Sequence, residues 1–146
     1  MNLSAFLNRG ARHAPSDAER AQAAINKAAE ESREKWLDSI MLDQIRAWDT
    51  VGKHEPGVLE GLATMLTLAG FVHVYDAKTE DTPDMRIIRG AISAATQCAK
   101  AGGVVTVDDA RAFSSACTRA TEAIKAGSVA AILHAATSIR AAVGIN

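Results

Sequence analysis

The stretch DMRIIRGAISAATQCAKAGGVVTVDDARAFSSACTRATEAIKAGSV, residues 84–129, decides the fold. Shifted by 25 residues, it falls on itself at nine positions. Asp84 meets Asp109, Arg86 meets Arg111, Ala91 meets Ala116, Ala95 meets Ala120 and Thr96 meets Thr121. Lys100, Ala101, Gly102 and Val104 then meet Lys125, Ala126, Gly127 and Val129. Each copy opens on acids, runs through small residues at helical spacing and closes on Lys-Ala-Gly. Acids suit the positive end of a helix dipole and lysine the negative end, while a glycine just past the last turn can take a left-handed cap. The stretch therefore predicts two helices of one design, a third and a fourth in the chain, paired as though duplicated. An array would need about three copies to bury a continuous core. Two make an antiparallel hairpin.

The flanks extend the hairpin into a bundle. Thr82 and Pro83 supply a cap and a first helical residue for the third helix, whose seam reads Ile88, Ala91, Ala95, Cys98. Thr106, with Asp109 three later, opens the fourth, with a seam of Ala110, Phe113, Cys117, Ala120 and Ile124. Gly127 stops it. Ser128 caps a fifth, where Val129, Ile132, Ala136, Ile139 and Val143 recur at heptad spacing. Short connections make these helices antiparallel neighbours.

Upstream, only Glu60 is charged between Val58 and Tyr75. The length suits a membrane span, but Gly57, Gly61, Gly70, Thr64, Thr67 and His73 dilute it and no basic flank orients it. Apolar residues on every side predict a central second helix surrounded by others. Phe71 to Tyr75 alternates and reads as either helix or extended chain.

The first helix is the long one. Ser16 and Glu19 form a capping pair after Pro15, and no breaker follows until Gly52. From Asp17 to Thr50 it would run about 51 Å, against a radius of gyration of about 15 Å for a compact chain of this size. One end should overhang, or the helix should bend. Its second half carries Trp36, Leu37, Ile40, Met41, Ile45 and Trp48, a broad face expected to be buried. Its first half shows a thin stripe, Ala18, Ala21, Ile25 and Ala28, amid charges, with Lys27–Glu31 and Glu31–Lys35 at pairing distance. Before it, residues 1–15 read as a loosely ordered arm carrying Leu3, Phe6 and Leu7. Residues 16–146 read as a single domain. The fold class expected is all-α, a five-helix antiparallel bundle.

Composition bounds the function. Apolar residues are 48% and aromatics only 4%, so the core must be built by close approach over alanine. Net charge is −1, with nine Lys/Arg against 13 Asp/Glu in residues 1–81 and seven against four in residues 82–146. That asymmetry is mild and gives no general pull toward nucleic acid or an anionic membrane. Met1 to Pro15 lacks the continuous apolar run of a secretory leader, which points to a cytoplasmic setting with both cysteines reduced. In the hairpin Cys98 and Cys117 are offset by about 9 Å along the axis, too far for a disulfide. Both read as core thiols.

No catalytic, cofactor or metal constellation emerges. His13, His54, His73 and His134 have no second ligand on their own helical face, and His134 should be half-buried. Asp76, Glu80, Asp81 and Asp84 lack the spacing of a calcium loop. No glycine-rich loop follows a strand. The leading expectation is a non-enzymatic helical protein–protein interaction module: an adaptor, structural subunit or occluding inhibitor. It would self-associate, most simply as a dimer, through Leu3, Phe6, Leu7, Ala18, Ala21, Ile25 and Ala28. The alternative is a small DNA- or RNA-binding regulator using Arg86, Arg89, Arg111 and Arg119 on the third and fourth helices.

Overall fold

The computed structural model describes residues 14–142 apart from 50, 54 and 55. Five helices account for most of this length: α1 Asp17–Asp49, α2 Pro56–Ala77, α3 Pro83–Lys100, α4 Val107–Ala126 and α5 Val129–Ala142. They pack as an all-α antiparallel bundle. Strand structure among the described residues is a two-residue ladder, β1 Gly52–Lys53 against β2 Val104–Val105, with Gly52 opposite Val105. It ties the α1–α2 connection to the α3–α4 connection and closes one end of the bundle.

Local chemistry sets the boundaries. Ser16 Oγ accepts from the Glu19 N–H at 3.1 Å, Thr82 Oγ1 from Met85 at 3.1 Å and Ser128 Oγ from Ala131 at 3.1 Å. Thr106 and Asp109 complete a reciprocal capping box, which satisfies two orphan donors at once. At the other ends the two Lys-Ala-Gly signals behave differently. Gly102 takes a φ of 88°, and the Gly103 N–H reaches back to the Cys98 carbonyl at 2.8 Å, a Schellman closure. Gly127 instead is extended, with φ −60° and ψ 136°, so the expected left-handed cap is absent there. Close approach explains that glycine: an added Cβ would lie 2.4 Å from Val72 Cγ1. α2 ends without glycine, on Lys78 at a φ of 60°, and Phe71 to Tyr75 is helical throughout.

α2 is the hub. It packs most extensively on α3 and α5 and also meets α4, while α1 lies chiefly along α4. By length and composition α2, from Gly57 to Ala77, could cross a membrane; here it buries Leu59, Leu62, Leu66, Leu68, Ala69 and Val72 among its neighbours. Among the described residues, ten of the 24 buried apolar side chains are alanine. Large side chains such as Phe113, Ile88, Ile124 and Ile132 nest over these small ones, which gives dense packing with few aromatics.

The seams of α3 and α4 are buried as their spacing predicts. Under the 25-residue shift, buried Met85, Ile88, Ala91 and Ala95 correspond to buried Ala110, Phe113, Ala116 and Ala120. α5 turns slightly from its expected seam: Ala131, Ile132 and Ala135 are buried, whereas Val129, Ala136 and Ile139 are half-buried. Polar clips fix the corners. The Asp76 carboxylate accepts from both the Ser128 N–H and its hydroxyl, at 2.9 and 2.7 Å. Arg119 reaches Asp84 across the α3–α4 hairpin at 3.1 Å.

Candidate functional site

α1 is the element whose surface the bundle leaves uncovered. It rises about 50 Å over its 33 residues, and every residue from Asp17 to Ala28 is exposed. Ala29 is the first buried position. There Arg33 anchors the helix, donating to the Ile124 and Lys125 carbonyls at the end of α4. A cation suits that negative helix end. The overhang therefore leaves the bundle one turn before Arg33, carrying Ala18, Ala21, Ile25 and Ala28 into solvent, with Ile25 42% exposed. Its charges pair as Arg20 with Asp17 and Arg33 with Glu30. The expected pairs among Lys27, Glu31 and Lys35 do not form. Leu3, Phe6 and Leu7 lie outside the described residues.

The trailing half overturns a sequence expectation. Ile40 is fully buried and Trp36 and Leu37 are half-buried. Met41 is 58%, Leu42 53%, Ile45 51% and Trp48 47% exposed. The reason is angular. Ala29, Trp36, Ile40, Asp43 and Ala47 form the inward line at 100° per residue, and Met41, Ile45 and Trp48 are rotated roughly 110–170° from it. One main neighbour, α4, cannot cover an apolar arc that wide. The breadth of that arc was the readable signal that part of it would stay bare.

Between α1 and α2, where packing is thinner, a groove of about 350 Å³ is lined by Ser39, Leu42, Asp43, Arg46, Gly61 and Thr64. Asp43 is the buried charged residue of the described fold. Burial pushes its carboxyl up to about 6, partly offset by the Arg46 guanidinium one turn on. A second cleft, of about 270 Å³, lies between α2 and α3 beside Leu59, Ala63, Ala95 and Ala99. Its walls are mostly apolar, and Glu60 and Lys100 are its charged groups.

Both cysteines are free and buried, as their seam positions predict. Cys98 donates to Asp109 Oδ2 at 3.3 Å. Burial, then the hydrogen bond and charge of Asp109, push the Cys98 thiol up to about 11. Burial and then the Asp43 charge push Cys117 up to about 12. Thiols this far from ionisation are poor nucleophiles. The Asp109 carboxyl is held below its ordinary value, first by the Thr106 backbone N–H. His134 is exposed rather than half-buried, its ring 4.9 Å from that of Tyr75. Among the described residues no three His, Cys, Asp or Glu side chains converge on a cation site.

The four arginines of the nucleic-acid alternative each hold an acid. Arg86 meets Asp81 at 2.8 Å, Arg89 meets Glu80 at 3.0 Å, Arg111 meets Asp108 at 3.4 Å and Arg119 meets Asp84 at 3.1 Å. Arg111 also stands about 12 Å from Arg119 along α4. Phosphate contact at these positions would first have to break local pairs. Compared with known protein families, curated proteins and solved structures, the chain matches none.

Proposed function

We propose that this protein is a non-enzymatic, cytoplasmic interaction module that works through α1 and self-associates by that helix, most simply as a dimer. Such a module serves as an adaptor, a structural subunit or an inhibitor that occludes a partner protein. The observation that carries the reading is the uncovered apolar surface of α1. Among the described residues, five of the nine exposed large apolar side chains, Ile25, Met41, Leu42, Ile45 and Trp48, belong to this one helix. A soluble chain seldom keeps so much oily surface on one element unless something docks there. The leading stripe also suits antiparallel self-pairing: about a centre near residue 23, Ala18 would face the partner's Ala28, and Ala21 the partner's Ile25.

Sedimentation equilibrium from 1 to 100 µM tests the reading. The expected result is a mass approaching twice 15.3 kDa within that range. A chain that stays monomeric at 100 µM overturns self-association. A charge at Ile25 then reports whether the overhang takes part, since Ile25→Asp changes an exposed position and leaves the core untouched.

A further inference from the structure

The ladder that closes the bundle also gathers apolar surface at one end. With Gly52 opposite Val105, Val51 stands level with Thr106. Val51, Val104 and Val107 are 42%, 54% and 52% exposed, at the end of the bundle where α1 stops. Of the nine exposed large apolar residues among those described, seven lie on the trailing half of α1 or at this end, and Ile25 and Tyr75 lie elsewhere. We infer that this face, centred on Met41, Ile45 and Trp48, is a two-fold interface on which a second copy of the chain lays its own α1 antiparallel, with the axis crossing at Ile45. The inference rests on the self-association proposed above and specifies where it happens.

Three observations select a second copy as the occupant. First, the spacing is self-complementary. Met41 lies four residues before Ile45 and Trp48 three after, so a two-fold axis at Ile45 brings each Met41 within one residue, about 1.5 Å, of register with the partner's Trp48. Isologous contact requires this symmetry, and a thioether against an aromatic ring is a favourable pairing. Second, the area suffices. Seven side chains about half exposed offer on the order of 600 Å², and a polar rim brings this to the roughly 800 Å² per partner of a standard interface. Third, the chain's own leading residues are poor competitors. From Asp17 to Trp48 the helix rises about 46 Å. Even on a fully extended chain Phe6, eleven residues before Asp17, and Leu7 stop short of Trp48 at about 40 Å or less, and Leu3 reaches it, at about 50 Å, only with the whole stretch pulled straight. A lone side chain at full stretch does not cover a face of this size. A lipid surface is disfavoured by charge: residues 36–49 hold three acids against Arg46 alone and so offer anionic headgroups no net attraction.

Spin labels on the full chain test the geometry. Asp38 is exposed, while Cys98 and Cys117 are buried, so an Asp38→Cys variant takes a nitroxide at one place. Asp38 stands seven residues from the inferred axis, which sets the two labels about 23 Å apart when a helix separation near 10 Å is included. An axis at the leading stripe would instead separate them by about 46 Å. Dipolar spectroscopy at 100 µM should give the shorter distance. Ile45→Asp should weaken dimerisation at least 100-fold by sedimentation with helix content unchanged, whereas Ile25→Asp should leave it within threefold. A distance near 46 Å, or a dimer that survives Ile45→Asp, overturns this inference and leaves the proposed function standing. A chain monomeric at 100 µM removes both.

Discussion

Two alanine-rich stretches of similar pattern meet opposite fates in this molecule. The leading twelve residues of α1, Asp17–Ala28, hold five alanines and an isoleucine, and none of them is buried. α4, Val107–Ala126, holds six alanines and an isoleucine, and buries Ala110, Ala116, Ala120 and Ile124 with Phe113 and Cys117. Both start at a hydroxyl cap, and both carry small residues three and four apart. What differs is company. α4 is flanked by α1, α2 and α3, whereas the overhang begins where α4 ends. Periodicity fixes which face of a helix is apolar; the lengths of its neighbours fix whether that face is covered.

The comparison is tested most sharply by one substitution made twice. Ile124→Ala removes a side chain with no exposure, and should cost about 2–5 kcal/mol of folding stability through lost transfer energy and an unfilled cavity. Ile25→Ala, measured on the monomer at high dilution, should change stability by no more than about 0.5 kcal/mol. Urea titrations with a common slope would decide it. A cost above 1 kcal/mol at Ile25 would mean that the overhang packs on its own domain.

Asp43 gives the next effect in size and separates the trailing half of α1 from both stretches. Its carboxyl is raised from 3.8 to about 6 by burial, so the folded state holds the proton more tightly than the unfolded chain does. Stability from this group is therefore fully present below about pH 4 and is lost as pH rises through 6. Between those limits the fold should strengthen on acidification, by up to about 3 kcal/mol. Asp43→Asn should stabilise the protein at pH 7.5 and remove that slope. Asp109 has the opposite sign: its carboxyl is lowered, so its contribution is present above 3.8 and falls away at more acidic pH. Melting temperatures of both proteins at pH 7.5, 6, 5 and 4 would show whether the curves converge toward acid.

Gly127 probes the corner where α4 gives way to α5. A Cβ there would meet Val72 Cγ1 at 2.4 Å and the Ala123 carbonyl at 3.2 Å. Gly127→Ala should cost about 1–3 kcal/mol by overpacking. If the effect were a lost left-handed cap, Gly127→Asn would be tolerated better than Gly127→Ala; with φ at −60°, the larger asparagine should be tolerated worse.

Much of the architecture was legible because it rests on local chemistry. Thr82, Thr106 and Ser128 announced helix starts that the structure places at Pro83, Val107 and Val129, and the seams of α3 and α4 were readable from spacing alone. What could not be read depends on neighbours. Met41, Ile45 and Trp48 looked like core because large apolar side chains at helical spacing usually are, yet only one flank of α1 meets its main neighbour. Gly127 carried the same Lys-Ala-Gly signature as Gly102 but answers to Val72, which lies 55 positions away. His134 sat beside an apolar seam and still faces solvent, with its ring against that of Tyr75 at the end of α2. The candidate docking surface was therefore half visible: the stripe through Ile25 could be read from spacing, and the larger face around Ile45 needed the fold.

The smallest effect separates the two stretches most finely, because it starts from equal contacts. Thr106 Oγ1 accepts from the Asp109 N–H and Ser16 Oγ from the Glu19 N–H, both at 3.1 Å. Judged by geometry, either cap is worth about 1 kcal/mol. A cap contributes to global stability only if the turn it closes unfolds together with the core. The first turn of α4 buries Ala110, so Thr106→Ala should lower unfolding free energy by about that amount. The first buried residue after Ser16 is Ala29, thirteen positions on, and the overhang can fray while the bundle stays folded. Ser16→Ala should therefore shift the urea midpoint by less than about 0.3 kcal/mol while speeding amide exchange across residues 19–28. Equal losses at the two caps would show that the overhang belongs to the cooperative unit, and the contrast between the two stretches would then be one of exposure alone.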